Sequence, residues 1–197
     1  MSESVGVTCT VAADNYVMGV KLINDNGLVQ DLTIDYEGGV DWQNKKTVTF
    51  QQSNIDERGA LVIHAEDSVA GQDHCYQAGL LVHCIASDTR SQWDNFLTNT
   101  NNWYSEDGKE LCSNNNAAFL SFNVDWISNM TDNGANHIWV ENSQVVNLVG
   151  TPFSDFPLVS GEILQFKIPK MFVFKTHSII YFYTNYFLNY FSLHKLD

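Results

Sequence analysis

The chain has 197 residues and a formal net charge of −13, with 44% hydrophobic and 17% charged residues. That is enough apolar material for one buried core, and 23 Asp and Glu against 10 Lys and Arg repel phosphate backbones and anionic membrane surfaces. Nucleic acid is therefore not an expected partner, whereas cations, Ca²⁺ above all, are electrostatically welcome.

The chain opens in period two, the signature of half-buried strands. Val5, Val7, Cys9 and Val11 share one face of a first run, with Thr8 and Thr10 on the other. Tyr16, Met18, Val20 and Leu22 line one face of a second, and Asp25-Asn26-Gly27 turns the chain because Asn and Gly tolerate positive φ. Leu28, Leu32 and Ile34 face one way in the third run. Thr47 to Phe50 is a short strand, and in the next Leu61, Ile63 and Ala65 face inward with Val62, His64 and Glu66 opposite. Ala78 to Ala86 is apolar on both faces, as a central strand is. Residues 87–116 are polar and turn-rich, and two further strands are expected at Phe119 to Val124 and His137 to Val149. No helical periodicity precedes residue 88. Strands at this spacing predict an all-β fold, an antiparallel β-sandwich or barrel.

The composition predicts a body over residues 1–150 and a different C-terminal tail over 151–197. Within it, residues 161–197 hold six of the twelve Phe and four of the eight Tyr. Phe, Tyr, Ile, Asn and Lys share A/T-rich codons, so this stretch reads as translated non-coding sequence or a disordered tail. The competing reading is a weak membrane anchor over Thr176 to Leu193, which carries no formal charge but includes polar residues costly in hydrocarbon.

Four cysteines, Cys9, Cys75, Cys84 and Cys112, permit disulfides without dictating their pairing. Along an extended strand Cys75 and Cys84 stand roughly 30 Å apart, far beyond disulfide reach, so they pair only if the chain folds back between them. The Met-Ser-Glu-Ser-Val-Gly start has no basic or apolar leader region. The expectation is a secreted or extracellular protein whose leader is not in this sequence, or a cytoplasmic one if the start is genuine. Asn129-Met130-Thr131 is the one glycosylation triplet.

Several segments together resemble a family. Thr8-Cys9-Thr10-Val11-Ala12-Ala13-Asp14-Asn15-Tyr16 leads into a strand, and Asp41-Trp42 precedes Thr47-Val48-Thr49-Phe50. Leu61 to Asp67 is followed by Ala78-Gly79-Leu80-Leu81-Val82, then by Thr98 to Trp103 and Ala135 to Asn142. In that order they are similar to galactose-binding-like jelly-roll domains, over about residues 5–150. Between residues 104 and 135 the chain departs from that pattern, being short and Asn-rich. The resemblance implies an eight-or-so-stranded sandwich and carbohydrate binding or an accessory role beside catalytic domains.

Sugar recognition needs an aromatic ring for the apolar face of a pyranose and amides or carboxylates for its hydroxyls. Trp93, Asn95, Asn101, Trp103 and Tyr104 supply that mixture within one polar stretch, although Trp42, Trp103 and Trp139 also read as core plugs. Calcium prefers six to eight oxygen ligands from turns. Asp14, Asp35, Glu37 and Asp41 are the candidate donors for a structural calcium, and solvated turns are the alternative. Zinc ligand types gather at Asp73-His74-Cys75 with His83 and Cys84, but without a zinc-binding spacing. The Gly-x-Ser-x-Gly, His-Glu-x-x-His, Walker and Gly-x-Gly-x-x-Gly signatures do not occur in the sequence. The expected function is a non-catalytic carbohydrate-binding or adhesion module with a glycan or glycoprotein partner. The alternatives are a structural or protein-interaction sandwich and, third, a glycoside hydrolase.

Overall fold

The structure is a computed structural model describing residues 4–39, 43–68, 78–113, 124–154, 156, 172–176 and 179–183. The chain divides into two compact units, residues 1–156 and 157–197.

The first unit is an all-β sandwich of two antiparallel sheets. Its strands are β1 (Val5–Asp14), β2 (Tyr16–Asn24), β3 (Val29–Leu32), β4 (Ile34–Tyr36), β5 (Lys46–Gln52), β6 (Gly59–Glu66) and β7 (Gly79–Ala86). After these come β8 (Phe96–Leu97), β9 (Trp103–Ser105), β10 (Leu111–Ser113), helix α1 (Asp125–Asp132), β11 (Ile138–Val140) and β12 (Val145–Gly150). Sheet A runs β10-β11-β7-β1-β5-β4, with β8 also paired to β7; sheet B runs β3-β2-β6-β12-β9. This layering is compatible with a jelly-roll.

Alternation places the core where the sequence puts it in most strands. Val5, Val7, Cys9 and Val11 of β1, Val48 and Phe50 of β5, Leu61, Ile63 and Ala65 of β6, and Leu80 and Val82 of β7 all enter one apolar cluster between the sheets. Cys9 and Cys84 stand directly across β1 and β7 and form a buried disulfide. Cys84 is therefore unavailable as a zinc ligand.

In β2 the expected phase fails. A bulge between Val17 and Gly19 shifts the register against β6, so Val17 and Val20 face the core while Tyr16 and Met18, the latter 56% exposed, face outward. One extra residue in a strand swaps the faces of everything on one side of it. Leu28, expected to share a face with Leu32, lies exposed in the turn before β3, where Gly27 adopts φ 69°.

The stretch from 87 to 116 is not only loop: β8, β9 and β10 lie in it. Residues 119–123 of the expected strand lie outside the described residues, and Val124 is the N-cap of α1. That helix was not expected. Ile127 and Met130, one turn apart, bury against Ala12 of β1, Leu81 of β7 and Ala135, so the apolar outer face of β7 has a cover. The expected strand from 137 to 149 is two strands, β11 and β12, divided by a turn in which Asn142 takes a positive φ of 55°.

In the second unit, β13 (Phe172–Thr176) and β14 (Ile179–Tyr183) pair as an antiparallel hairpin. The rest of the expected anchor lies outside the described residues. Among the described residues no helix is long and apolar enough to cross a membrane.

Candidate functional site

The structure separates the expected sugar-binding residues. Trp93 and Trp103 are each 1% exposed and lie in the core. Trp93 meets Phe50 and Phe96 edge-on at centroid distances of 5.1 and 5.3 Å, and Trp103 stacks on Phe96 at 5.7 Å. The Trp103 indole N–H donates to Leu97 O at 3.2 Å. Gly150, paired with Trp103 across β12 and β9, is obligatory there: a Cβ on it would stand 2.3 Å from Trp103 Cε2. Neither ring offers a face to a sugar, which corrects their assignment as platforms. The physical reason is that a strand's alternation, once β9 forms, sends Trp103 and Ser105 inward and Tyr104 outward. Trp139 is a core plug as well, its indole N–H donating to Ser143 O at 2.8 Å.

Asn95 is exposed, has φ 59°, and its Oδ1 lies 3.1 Å from His83 Nε2 on the sheet A side. Asn101 and Tyr104 belong to the β9 edge of sheet B. Tyr104 is 45% exposed, and its hydroxyl donates to Asn101 O at 3.2 Å, which fixes the ring.

On the outer face of sheet B, registers across four strands place Tyr104, Val149, Val62 and Lys21 in one row. Two residues further along each strand, about 7 Å away, Asn147, His64 and Gly19 form the next row. Glu106 extends that row beyond β9, its N–H donating to Asn147 O at 2.9 Å. His64 Nδ1 and Asn147 Oδ1 are 2.7 Å apart. No atom comes within 4 Å of where a Gly19 Cβ would be, so the row ends in a notch. A third row holds Val145, Glu66 and Tyr16, with Val145 48% and Tyr16 36% exposed. The Lys21 ammonium pairs with Asp31 of β3 at 3.7 Å. This face thus carries one pinned aromatic ring beside a polar row of Glu106, Asn147 and His64. Outward alternation in Leu61 to Glu66 marks His64 in the sequence. That Asn147 and Glu106 stand beside it depends on the β6–β12–β9 register, which no local pattern encodes.

Among the described residues the expected calcium donors do not gather. Glu37 pairs with Lys45 at 3.2 Å, and Asp35 lies on β4 opposite Thr47. Asp14 ends β1, where its carboxyl is pushed up to about 6, first by burial and then by the charge of Asp67. Beside it Asn15 Oδ1 accepts from the backbone N–H and the hydroxyl of Ser68, both at 2.6 Å. Asp41 lies outside the described residues. Among the described residues no group of three or more His, Cys, Asp or Glu is placed to hold a metal ion. A shallow cleft sits over Trp93 between Gln52, Glu57 and Arg58. The Gln52 amide there already donates to Glu57 O at 2.7 Å and accepts from the Ser91 hydroxyl at 2.7 Å.

No protein-family model, curated protein or solved structure matches the chain.

Proposed function

We propose that this chain is a non-catalytic glycan-binding module of the galactose-binding-like jelly-roll type, engaging sugar on the outer face of sheet B. The observation that carries the reading is the Tyr104 ring, pinned through its hydroxyl and exposed beside Glu106, Asn147 and His64. The ring takes the C–H face of a pyranose, and the amide, carboxylate and imidazole take hydroxyls. One ring and a shallow face give weak affinity per copy, so avidity from several copies sets the working strength.

The test is a broad glycan array followed by titration of the hit. Tyr104→Ala is expected to weaken binding about tenfold, about 1.4 kcal/mol, with the fold unchanged. Full affinity in that variant removes this face as the site. Silence of the folded chain on neutral and charged glycans alike favours the second reading, a protein-interaction sandwich. The observation behind that reading is Leu28 and Val29, 64% and 38% exposed where β3 ends the strand order of sheet B among the described residues.

A further inference from the structure

We propose that Asn129 is a site of N-linked glycosylation, independent of what the module itself binds. Asn129-Met130-Thr131 is the chain's one triplet of the required form, and three observations make it usable. First, α1 turns Ile127 and Met130 into the sheet A contact and leaves Asn129 exposed, so an attached glycan displaces no packing. Second, the hydrogen bonds of Asn129 use its oxygens: Asn133 Nδ2 donates to Asn129 O at 2.7 Å and to Oδ1 at 3.1 Å. The amide nitrogen that must carry the sugar has no protein acceptor among the described residues. Third, the buried Cys9–Cys84 disulfide, together with a disulfide-bonded Cys112, points to an oxidising compartment such as the one where this modification is made.

The helix is no obstacle to transfer. At eight residues it is too short to persist without sheet A beneath it, since isolated helices below about 12–15 residues are marginal in water. The triplet is thus extended when the transferase meets it. The donor is a lipid-linked oligosaccharide pyrophosphate. Asn129 Nδ2 forms a bond to C1 of the reducing-end sugar, the C1–O bond to pyrophosphate breaks, and its electron pair leaves on the lipid pyrophosphate. A base of the transferase takes the amide proton. Because α1 lies on sheet A, the glycan projects from the side of the sandwich opposite Tyr104 and leaves the proposed binding face clear.

The experiment is secretion of the full chain from eukaryotic cells behind a cleavable leader, with peptide mass spectrometry and treatment with a peptide-N-glycosidase, the amidase that hydrolyses the glycosylated asparagine side chain. The expected result is a glycan on the Asn129 peptide, removed by the enzyme with an aspartate left in its place, lost in Asn129→Gln and Thr131→Ala, and kept in Thr131→Ser. Wild-type protein secreted with its disulfides formed and Asn129 unmodified overturns the proposal. Peptide mapping of the wild type decides it even if a variant is not secreted.

Discussion

On the outer face of sheet A, Ala12 and Leu81 lie under Ile127 and Met130 of α1. On the outer face of sheet B the row from Lys21 to Tyr104 ends in an exposed aromatic ring, while Val62 and Val149 between them are buried. The central strand of sheet A is apolar on both sides, so its outer side required a lid. In sheet B the outward positions carry Lys21, His64, Glu66, Asn147 and Glu106, which tolerate water, beside the apolar Val62 and Val149. The lesson is that the pattern of a strand marks where its outer side needs an apolar cover.

The largest expected effect breaks the layer beneath the proposed binding face. Gly150→Ala drives a methyl into Trp103, and since neither ring nor strand can yield without opening the core, a loss of about 3 kcal/mol is expected. Urea denaturation measures it, and a loss below about 1 kcal/mol would show that the ring has room. Next, Ile127→Ala empties the contact between α1 and sheet A, with an expected loss of about 2 kcal/mol. Faster amide exchange in α1 and over Leu81, with sheet B unchanged, would locate the damage; equal loosening of both sheets would show that the helix supports the whole sandwich.

The smallest effect tests where the two sheets meet. Asp14 ends β1 of sheet A and Asp67 follows β6 of sheet B. In the folded state Asp14 keeps its proton up to about 6 instead of 3.8, so its stabilising contribution is full below about pH 4 and is lost as pH rises towards 6. His137 works the other way: burial pushes it down from 6.5 to about 4, and its contribution is full above about 6.5 and is lost as pH falls towards 4. The two slopes oppose each other in the same window. Asp14→Asn removes one of them. Stability should then rise steadily from pH 4 to 6.5, with a gain over wild type on the order of 1 kcal/mol at pH 7 after allowing for partial solvent screening. Denaturation midpoints at four pH values read it, and parallel curves for the two proteins would refute the Asp14 contribution.

Much of the sandwich was legible because β1 and β5 alternate over most of their length and β7 reads as a continuous apolar run. Tyr16 and Met18 misread because an inserted residue leaves no mark on composition. The helix α1 escaped because eight residues with two inward side chains carry little periodic signal. Of the expected sugar-binding residues, Tyr104 is exposed while Trp93 and Trp103 are buried in the core, since an indole among polar neighbours in sequence says nothing of which neighbours it meets in space. His64 was visible as an outward residue but not as the partner of Asn147, a pairing set by strands far apart in the chain.

That long-range pairing has a consequence for synthesis. β6 finds β2 early, but its other edge waits for β12, which is translated only after β7 to β11. Trp103, Trp139 and Leu148, which close the core, arrive equally late. At about 5–20 residues per second the open β6 edge persists on the ribosome for several seconds. A chain halted near residue 100 would present that edge and Leu61 and Ile63 as a template for its neighbours, which makes premature termination a route to aggregation.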